Sequence, residues 1–486
     1  MSLIHNIFSI FEWQTKPSKG NPIILPQKKH QIPLSKIDKG VIDILYRLRS
    51  RRFDARLVGG CVRDLLLDRK PKDFDIVTDA RPGQVKSLFY GCRLIGRRFR
   101  LAHVPTGRGM LVEVATYRGL SDPPEETNEP VEPKDRFLAN NVFGTIDQDA
   151  FRRDFTVNAL YYDFKDHSIL DYTGGLSDLK KKRLRSINEP DKSFKEDPVR
   201  IIRAARFAAI LGFELSRADM KAALSNAGLI AAANPSRMLE ELRKILKCGH
   251  SAGTFRQLQK YECLKYWIPE FAAEKAHALL LQRLEIMDKR IREGARFSEE
   301  LLIACLCFDL FQTVIGPFGE KGFHQTFEQI NINFRKLAIA LRVPRWVWHG
   351  AVEIAARQAV YRRTPGGRKW GKFLRIFLRS PMHRDSITFL DMDRELTGNL
   401  QKEYDYWNTL NLAQIEADEQ KHDKQKQKTI QNRRNPHTRP FHHRKPERQH
   451  TQPISSQQSG QPNQETEKKQ ESSNQPERTF QPDIQR

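Results

Sequence analysis

The sequence is poor in cysteine. Cys61, Cys92, Cys248, Cys263, Cys305 and Cys307 form no Cys-x-x-Cys pair and no metal-like spacing with a histidine, so neither a disulfide framework nor a zinc cage organises the chain, and a reducing, cytoplasmic compartment is expected. Long apolar runs are missing too, and none approaches the roughly 20 residues that span a bilayer. The opening MSLIHNIFSIFEW is broken by His5, Asn6, Ser9 and Glu12, without a basic leader or small-residue cleavage site. It reads as an amphipathic arm able at most to touch a membrane surface, not as a signal peptide. There is no heptad seam, so a monomer is expected. Acids are in short supply: 59 Asp and Glu against 83 Lys and Arg leave a net charge of +24. Such a surplus calls for a polyanionic partner, either nucleic acid or an anionic membrane surface.

What is present divides the 486 residues into segments. From 31 to 188 helical and strand patterns mix: IDKGVIDILYRLRSR has helical periodicity, RLVGG is a strand entering a glycine turn, and CVRDLLL restarts a helix. DFDIVT, CRLIG, LAHV and MLVEVATY then read as strands. An α/β head is predicted here, after an arm over 1–30. From 189 to 415 the pattern is almost wholly helical and is divided into a neck, 189–270, and a body, 271–415. Basic residues of the body interleave with Trp346, Trp348, Tyr361 and Trp370, a mixture that grips a phosphate backbone and stacks bases, although core packing is the commoner use of such aromatics. Residues 416–486 have almost no large apolar side chains and read as a disordered tail. Its basic excess lies next to the folded part: Lys421 to His450 carries 10 Lys or Arg against 2 acids, whereas Thr451 to Arg486 carries 4 against 5.

The chemistry concentrates around KDFDIVTDA, Lys72 to Ala80. Strand alternation sends Phe74 and Ile76 to one side and Asp73, Asp75 and Val77 to the other. Two carboxylates so placed repel unless a cation lies between them, and Mg²⁺ favours carboxylate oxygens together with substrate phosphates. On alternation alone, a metal site and the wet face of a strand are both open. Upstream, Gly59 and Gly60 end a strand and begin a helix, leaving backbone N–H groups free to cradle a triphosphate, with Arg63 one turn in. Glu113, among Val112, Val114 and Ala115 on a strand that reads as buried, is either a third acid of the site or half of a salt bridge to an arginine. Asp197 before Pro198 suits a helix cap, yet Asp197 and Arg200 share a helical face and could together meet the edge of an adenine.

GGCVRDLLL with DFDIVT resembles the first motif of the class II nucleotidyltransferases, the group that holds CCA-adding enzymes and bacterial poly(A) polymerases. RRDFTVNALYYD, LDYTGGLSDL, EDPVRIIRAARFAAILGF and NPSRMLEELRKIL follow in family order. The similarity covers roughly residues 30 to 270. It implies a polymerase-beta-like nucleotidyltransferase head followed by an all-α neck and body. It also implies catalytic Asp73, Asp75 and Glu113, two Mg²⁺ ions on Asp73 and Asp75, and ATP as substrate. By the same resemblance Gly59, Gly60, Arg63, Arg153, Asp154 and Asn158 bind nucleotide, Asp197 and Arg200 read the base, and Arg203 joins them. For Arg203 and Arg206, phosphate contact and structural pairing both stay open. DYTGG becomes a flexible connection between head and neck.

GRRFRLAHV, HQIPLSKIDKGVIDILYRLRSRRFDARLVGG and NPSRMLEEL are similar to the poly(A) polymerase branch; the CCA branch usually carries Ser-x-Glu-Arg in the last of these. No HD-type metal motif follows the helical region. Asp68 stands where the family usually has glycine, and Thr106 where an aromatic is common. The resemblance therefore implies AMP addition to RNA 3′ ends, with RNA-decay or RNA-chaperone proteins as partners. The rival readings are a CCA-adding enzyme, a non-catalytic RNA-binding protein, suggested by the basic excess and the tail, and a membrane-surface adaptor.

Overall fold

The computed structural model describes residues 17, 20–96, 101–107, 109–119, 143–315, 322–362 and 377–409. The chain divides into two units, 1–418 and 419–486. The expected tail over 416–486, Trp370, and the arm as far as residue 16 lie outside the described residues.

Alternating apolar residues build the head on one sheet. Strands β1 (Ile23–Leu25), β2 (Ala55–Val58), β3 (Asp75–Thr78), β4 (Arg93–Ile95), β5 (Leu101–Pro105), β6 (Leu111–Thr116), β7 (Leu160–Asp163) and β8 (Ile169–Asp171) join in the order β1-β8-β7-β2-β3-β6-β5-β4. Neighbours are antiparallel except β3 and β6, which run parallel. Residues 23–25, expected in the arm, instead close one edge of the sheet against β8.

Successive side chains serve two different layers. Leu57, Ile76 and Tyr162 join the main core with residues of α1 (Lys39–Ser50), α2 (Gly60–Leu66) and α3 (Pro82–Leu88). In α1 the buried Val41, Ile44, Leu45 and Leu48 recur at helical spacing, and Asp38 caps the helix by accepting the Gly40 N–H at 2.7 Å. Val58, Val77 and Tyr161, on the opposite face, form a smaller cluster with Ala150 of α4 (Ile146–Phe151). Asp75 and Glu113 have the parity of this second, thinly covered face.

The two departures from the family pattern have local explanations. Asp68 has φ of 58°, the left-handed conformation that glycine takes without strain and aspartate tolerates better than most residues. Thr106 is buried against α1, its Cβ 2.7 Å from where a Cβ on Gly40 would lie. An aromatic ring would have to displace that helix.

Helices supply the rest: α5 (Gly175–Lys180), α6 (Pro190–Glu196), α7 (Val199–Leu211), α8 (Arg217–Asn226), α9 (Pro235–Lys247), α10 (Ser251–Lys260), α11 (Glu274–Arg292), α12 (Glu299–Ile315), α13 (Phe323–Asn333), α14 (Arg335–Ala340), α15 (Arg345–Tyr361) and α16 (His383–Thr397). Asn234 caps α9 through the N–H groups of Ser236 and Arg237, with Pro235 at the first helical position. One continuous core runs from Leu25 of the sheet through α7, α9 and α10 to Met392 of α16.

DYTGG is not a loose connection. The buried Asp171 carboxylate accepts four backbone N–H groups, from Thr173, Gly174, Gly175 and Leu176, at 2.8–3.0 Å. Gly174 has φ of 86°, and a Cβ on Gly175 would meet Thr156 O at 2.2 Å. The motif locks α5 to the 3₁₀ turn Thr156–Asn158, where Thr156 Oγ1 also donates to Asp178 at 2.7 Å. We predict that Gly175→Ala costs about 1–3 kcal/mol through overpacking; an unshifted Tm in thermal melts would show that the contact is soft.

Candidate active site

The glycine pair sets the site's geometry. Gly59 has φ of 82° and ψ of −133°, outside the range of residues with a Cβ. Its missing side chain leaves room for Arg153 Nη1, 3.5 Å from where a Cβ would stand, and for Asp75 Oδ2 at 4.0 Å. Strand β2 therefore ends close against both charged groups.

The parallel pairing of β3 and β6 puts Asp75 level with Glu113. Asp73 lies one step before the strand and is exposed. Burial first, then the charges of Glu113 and Asp73, with Arg153 opposing them, push the Asp75 carboxyl up to about 6. The three acids are thus near enough to repel. Glu113 is not buried, as the flanking valines suggested: alternation turns it to the open face, 52% exposed, and its partner is His103 at 3.5 Å rather than an arginine.

Cations face these acids across a cleft of about 630 Å³ that Asp75, Glu113, Arg118, Arg152, Arg153, Arg203 and Lys244 help to line. Arg153 is fixed by Asp149, whose Oδ2 accepts from Nη2 at 2.9 Å and from the Tyr161 hydroxyl at 2.9 Å, and the guanidinium lies over the Tyr161 ring. Burial, then Arg152 with Arg153 adding to it against Asp149, holds Arg118 below the usual arginine range. Guanidinium groups crowded in this way favour an anion of high charge between them.

Behind the cleft a chain of buried polar groups joins head to neck. Arg63 Nη1 donates to Asn158 Oδ1 at 2.6 Å, and Asn158 Nδ2 donates to Asp154 Oδ1 at 3.2 Å. Asp154 Oδ2 accepts from Arg203 Nη2 at 2.6 Å, and Glu241 accepts from Arg203, Arg206 and Lys244 at 3.1–3.2 Å. Arg203 and Arg206 are therefore in structural ion pairs, with Arg203 also facing the cleft. Arg63, expected to cradle phosphate, is instead 5% exposed, paired with Asp64 and set over the Phe207 ring. In that place it holds Asn158 through Oδ1.

Asp197 and Arg200 do stand together, with Nε and Oδ2 3.8 Å apart. Each is also held from outside the pair: Arg200 Nη1 donates to Ser193 O and Oγ at 3.1 and 2.8 Å, and Asp197 Oδ2 accepts from Arg237 Nη2 at 2.7 Å. Asp197 does not cap α7 with its side chain. Among the described residues, Asp197 Oδ1 and Arg200 Nη2 take no hydrogen bond.

Sequence reasoning missed Arg118, Asp149, Tyr161, Glu241 and Lys244. Asp149 and Arg153 were findable as an acid and a base four apart, the acid in α4 and the base just past its end. Lys244 and Glu241 belong to an ordinary amphipathic helix, and only the fold brings them to the head.

A sheet that carries paired acids opposite clustered guanidinium groups, on a head followed by helices, defines a nucleotidyltransferase. The family described as "Poly A polymerase head domain" matches residues 55–185, and that described as "Probable RNA and SrmB- binding site of polymerase A" matches 212–275. Over 406 residues the chain is 34% identical to Poly(A) polymerase I of Salmonella typhi, covering 79% of this chain and 84% of that protein. It is 34% identical over 228 residues to the CCA-adding enzyme of Staphylococcus saprophyticus, covering 47% and 54%. The Bacillus stearothermophilus CCA-adding enzyme solved with CTP aligns over 77% of this chain and 82% of its own at a TM-score of 0.55 and 25% identity. The chain belongs to the tRNA nucleotidyltransferase/poly(A) polymerase family of class II nucleotidyltransferases. Among the described residues no helix is long and apolar enough to cross a membrane.

The charge state of Asp154 gives a pH test. Burial works to raise its carboxyl, but Arg203, Asn158 and the Phe155 N–H outweigh it and hold the group below the usual carboxylate range. A depressed acid stabilises the fold above its unfolded value of about 3.9 and loses that contribution as pH falls through the folded value. Asp154→Asn should cost roughly 2–4 kcal/mol at neutral pH, and its Tm deficit should shrink as melts are taken below about pH 4. A deficit constant with pH would remove the ion pair as its cause.

Proposed function

We propose that the chain transfers AMP from ATP to RNA 3′ ends, releasing pyrophosphate. The observation that carries this reading is the single cleft in which Asp75 and Glu113, level on parallel strands, face Arg118, Arg152 and Arg153. Acids and cations lining one cleft suit a metal-bound triphosphate. The length of chain shared with poly(A) polymerases favours AMP addition over CCA addition.

The acids fit a divalent cation. Asp75 is pushed up by burial and by its carboxylate neighbours, a repulsion that a cation would relieve. Among the described residues no group of three or more His, Cys, Asp or Glu side chains is placed to hold a metal ion; Mg²⁺ keeps waters and takes substrate phosphates as further ligands. Asp73 and Asp75 would hold two Mg²⁺ ions, which when bound activate the attacking 3′-hydroxyl and neutralise the departing pyrophosphate.

The chain's own residues do the rest. Arg118, Arg152 and Arg153 bind the triphosphate, with Asp149 keeping Arg153 in place before substrate arrives. Gly59 lets the backbone approach closely, and Gly60 opens the helix behind it. Asp154 and Asn158 shape the ribose end while Arg203 and Arg63 hold them rigid. Asp197 Oδ1 accepts from the adenine amino group and Arg200 Nη2 donates to ring N1, using the two edges that Ser193 and Arg237 leave available. A pair so braced need not reorganise as the base docks.

The test offers unstructured RNA and tRNA lacking its 3′ end, with ATP and CTP separately and together, and resolves products by length. A long A ladder on generic RNA is expected; addition confined to tRNA and ending after the CCA sequence would assign the chain to the other branch, and no addition would leave an RNA-binding protein. Asp75→Asn should lower turnover by at least about 10³-fold with Tm held or raised, since the acid is under repulsion. Wild-type turnover in that variant would end the metal reading.

A further inference from the structure

A second concave surface, of about 770 Å³, lies between α13, α14 and α15 and shares no lining residue with the cleft. Its floor is apolar, including Phe327, Val343 and Trp348. Trp348 is a core residue, 5% exposed and edge-on to Phe311, and Tyr361 further along α15 is fully buried. Trp346 differs: it stands 64% exposed on the first turn of α15, beside the lining residue Arg345 but not itself part of the lining.

The charge around this groove is mostly positive. From Gln329 to Val352 the chain carries Arg335, Lys336, Arg342 and Arg345 and no acid. All four are exposed or partly so, and among the described residues none enters an ion pair. Elsewhere in the helical region many cations are matched, with Arg283 between Asp309 and Asp393 and Arg290 on Asp391 and Glu395, while exposed Arg296, Arg384 and Lys402, scattered singly, enter no ion pair among the described residues. His349 adds a ring at the rim, packed on Phe327. Among the groove's lining residues Glu328 is the one acid.

We propose that this groove binds single-stranded RNA upstream of the 3′ end, with Arg335, Arg342 and Arg345 on the phosphates and a base stacked on Trp346. Unmatched cations supply the attraction for a polyanion, and an exposed indole supplies a platform that any base can use. An apolar protein helix would leave the cations unpaired, and an acidic segment would leave the indole unused. The site would let the body hold a substrate whose last nucleotides lie in the cleft. The choice of RNA as occupant rests on the RNA-extending reading above.

Binding is measured apart from catalysis, by fluorescence anisotropy of the full chain with a 3′-blocked A-rich oligonucleotide of about 25 nucleotides, and with one of about 6. Arg342→Gln/Arg345→Gln should weaken the longer RNA several-fold and reduce its salt slope by about 1.4, the share of two single-strand phosphate contacts. Trp346→Ala should weaken it roughly tenfold, with recovery in Trp346→Phe. Binding of the short RNA, KM for ATP and the thermal melt should not move. Lys39→Gln, which removes one charge from the head, should have no comparable effect. Unchanged affinity and salt slope for the longer RNA would overturn the proposal. So would poly-glutamate of equal charge binding as tightly as RNA, with Trp346→Ala silent, which would assign the groove to an acidic protein segment. Because binding is read on a blocked oligonucleotide, a wild-type chain that adds no AMP to unblocked RNA would refute the adenylyltransferase reading while leaving this binding result to stand on its own.

Discussion

The site depends on a half-buried ion pair between Asp154 and Arg203. Asp154 belongs to the segment after α4, Arg203 to α7, and their contact at 2.6 Å fastens the head to the neck. Neither charge would survive burial alone. Each is therefore given further partners: Asn158 and the Phe155 N–H for the acid, Glu241 for the guanidinium. Satisfied throughout, such a network is rigid; broken at one member, it would expose the others to the same low dielectric. Glu241 extends it to Lys244, so the position of one cleft wall follows from the contact that holds the other.

The same economy governs the open side of the sheet. Asp75, Glu113 and Asp73 repel, while Arg118 lies beside Arg152 and Arg153. Asp149 takes up one guanidinium and His103 lies near one acid, while both signs of charge line one cleft. Like charges held together in this way cost stability and favour a group of the opposite sign between them. Asp197 and Arg200 follow the pattern at smaller scale, each clamped on one edge by Arg237 or Ser193 and open on the other.

How much of this was legible in the sequence follows from the range of the interactions. The strands and helices came from local rules: strand patterns found β2, β3, β4, β5 and β6, and apolar spacing found α1 and α9. Asp73, Asp75, the glycine turn and the Asp197–Arg200 pair were visible because each lies within a few residues of its partner. What failed needed contacts far apart in the chain. Glu113 looked buried because Val112 and Val114 flank it, yet those valines point to the other face, and the sheet's partner layer decides which face is covered. Arg63 sits one turn into α2, where a phosphate could reach it; Asn158, 95 residues on, turns it inward instead.

DYTGG shows the limit most clearly. On local evidence it reads as a plain turn, and the family resemblance implies a flexible connection between head and neck. In the folded chain the same glycines serve close approach: Gly175 lets α5 touch the Thr156 carbonyl, and Gly174 takes the left-handed turn that aims four N–H groups at Asp171. Local sequence fixes which conformations a glycine is permitted. Only the surrounding packing decides whether that permission is spent on motion or on contact, and here Thr156, Asp178 and Asp171 spend it on contact, holding the turn that carries Asn158 into the site.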